Sequence, residues 1–318
     1  MSKGKVTVLG SNGHIGHAVA VAFVAAGWTV TAFARTNRRL VQGARFVAGD
    51  ANNLAAVQAA IADADVVVHG LHLPYDKWGN GAAEAQLQVV IDALGQSGKT
   101  LMFPGTIYNY RASDRMVTPQ VPQHAEAPRG EIRIRLEQML KRAAEAGRFR
   151  TIIVRGGDFY GPGNRGEWFE QAMLMDYAKG VVHHMGDLDL RHSWAYLPDL
   201  AEAFSVLAAQ RAEFAAFENF HFAGNWISHR QMMTAIQKAV PQPLKVSPLA
   251  WWMLRAVGVV NPVMRDIYRM RYLWRNEMQL ADDRLGAILG PDFGTPFEAA
   301  VAATVEELTG SWEAKVAA

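Results

Sequence analysis

Three glycines stand in GSNGHIG (10–16) at G-x-x-G-x-x-G spacing, between a buried-strand run, KVTVLG, and a helical stretch. That spacing suits the pyrophosphate of a dinucleotide. Gly10 allows a tight turn, Gly13 lets backbone N–H groups approach the phosphates, and Gly16 lets the helix pack close to the strand. Ser11, Asn12, His14 and Ile15 complete the turn and are expected to line the same site. Glycine-rich turns are also common as mere punctuation. Here the strand before and the helix after supply the context that phosphate binding requires.

The second strand selects between dinucleotides. A site for NAD places Asp or Glu about 20 residues past the glycines, where the carboxylate takes the ribose 2′-hydroxyl. No acidic residue occurs between Gly16 and Asp50, and the strand WTVTAFA (28–34) runs into Arg35, with Arg38 and Arg39 close behind. A guanidinium matches a 2′-phosphate through forked, charge-assisted hydrogen bonds and stacks on adenine. Arg35 therefore favours NADP(H) over NAD(H); the plainer alternative is a solvated basic loop.

A further charged group lies in RGEIRIRLE (129–137), where a spacing of four puts Arg129 and Arg133 on one helix face. Ile132, Leu136, Met139 and Leu140 form its apolar stripe, so a helix is expected whether the arginines face a cleft or water.

These residues need a scaffold, and the chain supplies a regular one. KVTVLG (5–10), WTVTAFA (28–34), RFVAG (45–49), DVVVHG (65–70), KTLMFPG (99–105) and RTIIVRG (150–156) read as short strands, with helical patterns between most of them, around 82–97 and 130–147 among others. That alternation predicts an α/β fold, a Rossmann-type doubly wound parallel sheet. After about 156 the rhythm breaks into GGDFYGPGNRG and short pieces rich in Trp, Met and His. The expected division is a dinucleotide-binding core at 1–156, to which 181–224 returns, with HFAG (221–224) as a strand. Segments 157–180 and 225–318 are expected to form a smaller, mostly helical substrate or lid subdomain over the carboxyl ends of the strands, where open α/β sheets bind ligands.

The 318 residues are half hydrophobic, carry a formal charge of +2 and include no cysteine. A large core is affordable, no nucleic-acid partner is implied, and disulfides, thiolate nucleophiles and cysteine metal sites are excluded. His183, His184 and His192 cluster without a ligand spacing, so no metal is expected. MSKGKVTVLG lacks the pattern of a secretory leader, and no apolar run reaches the length of a membrane span. A cytoplasmic protein without membrane insertion is the expectation. The stretch LAWWMLRAVGVVNPVMRDIYRMRYLW (249–274) mixes large apolar residues with Arg255, Arg265, Arg269 and Arg271. It suits a lid or packing segment better than a membrane-surface helix.

Taken together, the chain resembles the extended short-chain dehydrogenase/reductase superfamily in its NAD(P)-dependent epimerase/dehydratase branch. GSNGHIG, GDANN (49–53), VVVHGLH (66–72), VRGGDFYGPG (154–163), RHSWAYLPDLAEAF (191–204) and FAGNWIS (222–228) are similar to that family's motifs, in order, over nearly the whole length. The resemblance implies that Asp50, with Ala51 beside it, meets the adenine and that Leu71 and His72 lie beside the cofactor. It also implies Tyr160, Arg191 and Trp194 in the substrate pocket, a small-molecule substrate and a homodimer as the common assembly. Epimerases, dehydratases, reductases and cofactor-sensing proteins share this fold.

One departure matters. Active members carry Tyr-x-x-x-Lys after the fifth strand, commonly with a glutamate four residues beyond the lysine. Matching Glu137 to that glutamate puts Arg133 in the lysine position and Arg129 in the tyrosine position, and no Tyr or Lys occurs between Arg111 and Gln138. Arg133 would hold the ribose as a fixed cation. Arg129 cannot act as the acid, because its pKa above about 12 keeps it protonated. Thr106 matches the family's hydroxyl position and Tyr108 offers a phenol, so these two are the catalytic candidates; Tyr110 and His72 are further ones. Arg129 beside Arg191 would make a cationic pocket for a carboxylate or phosphate, whereas pairing with Glu131 and Glu137 would make a solvated helix face. The expected activity is an NADP(H)-dependent oxidoreductase for a small carbonyl, imine or sugar-like substrate, anionic if Arg129 faces the cleft. The alternative is a non-catalytic NADP(H)-binding sensor or scaffold.

Overall fold

Val6, Thr7, Val8 and Leu9 are all buried, as a central parallel strand demands: both its faces are covered, so apolarity runs on instead of alternating. Seven strands share one sheet: β1 (Lys5–Leu9), β2 (Thr29–Ala34), β3 (Arg45–Ala48), β4 (Val66–His69), β5 (Thr100–Thr106), β6 (Arg150–Gly156) and β7 (Phe217–His221). Their order is 7-6-5-4-1-2-3, with the direction of progression reversing between β1 and β4. The pairs β1–β2, β1–β4, β2–β3 and β4–β5 are all parallel. The computed structural model describes residues 2–73, 77–163 and 166–316. Asn164 and Arg165 of the GGDFYGPGNRG segment lie outside the described residues.

Five helices accompany the sheet: α1 (His14–Ala25), α2 (Leu54–Ile61), α3 (Ala82–Leu94), α4 (Pro128–Glu145) and α5 (Leu197–Ala209). Val57 and Ile61 from α2, Leu87, Val90 and Ile91 from α3, and Ile132, Leu136 and Leu140 from α4 join Leu9, Phe33, Leu101 and Phe103 in one apolar cluster. The six expected strands and the helices between them are therefore present, and the Rossmann-type α/β architecture with them. The expected strand at 221–224 lies elsewhere. Phe217–His221 forms the edge strand, Gly224 turns the chain at φ +59°, and Asn225–Ser228 pairs antiparallel with Arg191–Tyr196.

The chain divides into two compact units, one of Met1–Asn109, Pro128–Arg155 and Leu200–Phe220, the other of Tyr110–Ala127, Gly156–Asp199 and His221–Ala318. Residues 110–127 and 181–199 thus belong with the second unit, and only 200–220 with the sheet. The second unit contains a three-stranded sheet of Asp158–Tyr160, Arg191–Tyr196 and Asn225–Ser228. It also contains α6 (His229–Lys238), α7 (Trp251–Val257), α8 (Pro262–Arg269), α9 (Asp283–Leu289) and α10 (Phe297–Val316).

A buried ionic network ties the working end of the first unit together. Arg155, wholly buried at the end of β6, donates to Glu137 Oε2 of α4 at 2.6 Å and to the Thr106 carbonyl of β5 at 2.6 Å. Asn109 Nδ2 donates to the other Glu137 oxygen at 2.9 Å, and Arg155 reaches Asn219 Oδ1 of β7 at 3.4 Å. Removing one member of such a pair strands a buried charge. Glu137→Ala is expected to lower stability by about 3–5 kcal/mol in urea denaturation, with the double change Glu137→Leu/Arg155→Met recovering most of it.

Candidate functional site

In an open α/β sheet the ligand crevice lies beyond the carboxyl ends of the strands where the order reverses, here β1 and β4. Three backbones are close-packed at that point. Gly10 has φ +83°, and a Cβ on it would lie 2.6 Å from the Gly70 carbonyl oxygen. A Cβ on Gly16 would lie 2.3 Å from the Gly10 oxygen, and one on Gly70 would lie 2.8 Å from Gly16 Cα. Gly70 follows β4 as Gly10 follows β1, and no glycine spacing in the sequence marks it as part of the turn. The N–H groups of Gly10 and Ser11 both donate to Phe33 of β2, at 2.8 and 3.2 Å, which anchors the turn. Helix α1 begins on Gly13, which offers no capping side chain, and no acid occupies its first turn. Its first N–H groups and the positive end of its dipole are thus available to an anion. The cradle therefore fits a dinucleotide pyrophosphate.

Asn12 connects this turn to the basic loop. Its side-chain nitrogen donates to the Thr36 carbonyl at 2.6 Å, and its oxygen accepts from the N–H groups of Arg38 and Arg39 at 3.1 and 3.2 Å. Arg35 is exposed at the end of β2. Asp50 is exposed beyond β3 and accepts from the backbone and side chain of Asn52 at 2.9 and 3.0 Å, while Ala51 is buried. Leu71 is half-buried after β4, and the exposed His72 stacks edge-on against Trp78, 5.6 Å between centroids. Ser11 is buried beneath the turn and does not line a surface.

The ends of β5 and the start of α4 form the second part of the site. Thr106 is half-buried, its hydroxyl donating to Asn109 Oδ1 at 3.4 Å, and Tyr108 follows in a single helical turn with only 9% exposure. Arg129 is 5% exposed, with its guanidinium 5.9 Å from the Trp78 ring centre. Arg133 lies at the same distance from Trp78, 4.7 Å over Phe103, and donates to the Pro104 carbonyl. The β4–β5 ladder ends at Val68–Met102, so Pro104 stands beyond that ladder. A solvated face describes Arg135, which pairs with Glu84 at 2.7 Å, and not Arg129. Glu137, expected as a surface partner, serves Arg155 instead. Tyr110, wholly buried in the second unit, has its hydroxyl 3.4 Å from His221 Nε2.

In the second unit, Tyr160 and Trp194 do not line an open pocket as expected. Both are 0% exposed, Tyr160 donating to Asn225 Oδ1 at 2.6 Å and Trp194 enclosed by Tyr160, Phe169, His192 and Trp274. Burial, with the Asp199 charge behind it, pushes the Tyr160 phenol far above its ordinary range. Arg191 is exposed, its N–H donating to Glu277 Oε1 at 3.2 Å. One cavity of this unit, of about 540 Å³, is lined by Trp251, Tyr268, Arg255, Arg271 and Arg275 among others, and another, of about 490 Å³, lies by Tyr196, Phe222 and Phe293. The three clustered histidines have separate partners: Asp176 for His183, the Gly186 carbonyl for His184 and Asp158 for His192.

Comparison with known proteins agrees with this geometry. Residues 6–221 match the model of the NAD dependent epimerase/dehydratase family, and the chain belongs to that family. No curated protein matches it. Among solved structures, a UDP-glucose 4-epimerase from Brucella ovis in complex with NAD is similar at a TM-score of 0.75 and 17% identity, over 96% of this chain and 97% of that one. The Bordetella bronchiseptica enzyme WbmH in complex with NAD+ is similar at 0.70 and 19%, over 96% and 98%. MoeE5 in complex with UDP-glucuronic acid and NAD is similar at 0.76 and 16%, over 97% and 100%. Such identities speak for the fold alone. Among the described residues, no helix is long and apolar enough to cross a membrane.

One buried group of the site makes stability depend on pH. Burial first, and the Arg133 charge second, lower the His69 pKa from 6.5 to about 4. The unfolded chain therefore takes up this proton before the folded one, so stability is complete above about pH 6.5 and declines as pH falls towards 4. The expected loss between neutrality and pH 5 is on the order of 2 kcal/mol, and His69→Asn should shrink it in urea titrations at the two pH values.

Proposed function

We propose that the chain is an NADP(H)-dependent oxidoreductase acting on a small, anionic carbonyl, imine or sugar-like substrate. The observation that carries the cofactor reading is the basic loop at Arg35–Arg39, held against the phosphate turn by Asn12 where an NAD site would present a carboxylate. The first N–H groups of α1, which the Gly10–Gly13 turn leaves open to an anion, would hold the pyrophosphate, Arg35 the 2′-phosphate, and Asp50 the adenine amino group. Leu71, His72 and Arg133 would flank the rest of the cofactor. When bound, the nicotinamide supplies or accepts a hydride. The chain's part is orientation and the proton: Thr106 and Tyr108, at the end of β5, are the groups proposed to donate or accept it. Arg129 stays charged at any working pH and would hold an anionic group of the substrate.

A second reading, a non-catalytic NADP(H)-binding sensor, is favoured by one observation. Arg133, in the place of the family's lysine, is engaged with the Pro104 carbonyl and the Phe103 ring.

Two measurements test these readings. Arg35→Ala is expected to weaken NADPH binding by roughly tenfold or more in calorimetry while leaving NADH nearly unchanged; equal effects would sink the phosphate assignment. In a panel of carbonyl and imine acids, Tyr108→Phe and Thr106→Val should each lower kcat by about a hundredfold with NADPH affinity retained. Tight NADPH binding without turnover across the panel would select the sensor.

A further inference from the structure

Large apolar side chains left in water cluster at one place. Trp252, Met253, Val257, Val259 and Val260 are 73, 51, 46, 78 and 84% exposed and fall within nine residues. They belong to a helical hairpin made by α7 and α8, which pack on each other. The hairpin is well ordered by its own chemistry. Asn261 Oδ1 caps α8 by accepting from Val263 and Met264 at 3.0 and 3.2 Å, with Pro262 in the first turn. At Gly258 the helices come so close that a Cβ would lie 3.0 Å from the Arg265 backbone. Trp251 anchors the base, buried, donating to the Met185 carbonyl at 2.7 Å beneath the Arg271 guanidinium. A turn facing water normally carries Gly, Asn, Asp or Ser. This turn has Gly258 and Asn261 at its edges but places Val259 and Val260 between them, in water.

The charge around the tip is one-sided. Residues 251–275 contain five arginines and a single acid, Asp266, which pairs with Arg269 at 3.3 Å. Among the described residues, no ion pair involves Arg255 or Arg265. A symmetric contact with a second copy would bring these arginines against one another, at a cost. An anionic bilayer answers both features at once, with acyl chains for the valines and phosphates for the guanidinium groups.

Against the expectation of a lid or packing segment drawn from the sequence, we propose that the α7–α8 hairpin rests the protein on an anionic membrane surface. Val257, Val259 and Val260 enter the headgroup boundary, and Arg255 and Arg265 face the lipid phosphates. The hairpin is too short to span and acts as a peripheral contact. Because it is already folded, docking carries little ordering cost.

The test is flotation of the full chain with vesicles of phosphatidylcholine alone and of equal parts phosphatidylcholine and phosphatidylglycerol. Binding is expected only to the anionic vesicles, and it should weaken with salt. Val259→Ser/Val260→Ser should weaken it by about tenfold or more, and Arg265→Ala by roughly fivefold. These three residues lie outside the lining of the arginine-rich cavity, so an anion bound there would not respond to them. Melting curves confirm that each variant is folded. Absence of binding at low salt, or unchanged binding by either variant, overturns the proposal. A dimer in sedimentation that the valine variant dissociates would assign the tip to a second copy and overturn it equally.

Discussion

A guanidinium sealed from water must be answered by fixed oxygen atoms, and in this chain that demand organises the end of the sheet where the site lies. Arg155 finds its oxygens on Glu137, on the Thr106 carbonyl and on Asn219, so one side chain of β6 sets the positions of α4, β5 and β7. Asn109 then takes the other Glu137 oxygen, and Thr106 donates to Asn109. The hydroxyl expected to meet substrate is thereby placed by a chain of contacts that begins with a buried charge. Such a network favours one arrangement strongly, because any loosening leaves polar groups buried without partners.

The glycine contacts act in a different way. Gly10, Gly16 and Gly70 bring β1, α1 and β4 closer than any side chain permits, and the close approach exposes backbone N–H groups at the helix start. Apposed backbones and a buried ion pair thus underlie the two halves of the candidate site. The apolar cluster of α2, α3 and α4 supplies most of the burial that holds both in register.

Much of this was legible in the sequence. Parallel strands buried on both faces are uninterrupted apolar runs, and β1 and β4 announce themselves as KVTVL and VVVH. The edge strand β7 was missed because FENFH pairs on one side only, so polar Glu218 and Asn219 are tolerated and no apolar run forms. Tyr160 and Trp194 were expected in a pocket because their motif resembles a pocket segment, yet a motif carries no measure of enclosure, and both rings are wrapped by other aromatics. For Arg129 the sequence left a cleft and a solvated face both open. It is buried, with its guanidinium near the ring of Trp78, far away in the chain and in no motif.

Asn12 has a consequence for how cofactor preference is inherited. The arginine loop takes its shape from an amide in the phosphate turn, through three hydrogen bonds to residues 36, 38 and 39. On the proposed NADP(H) reading, preference for one dinucleotide is therefore not a property of the Arg35 position alone that a single exchange could transplant. The two motifs form one module, and a lineage that changed its nucleotide would have to rewrite the turn and the loop together.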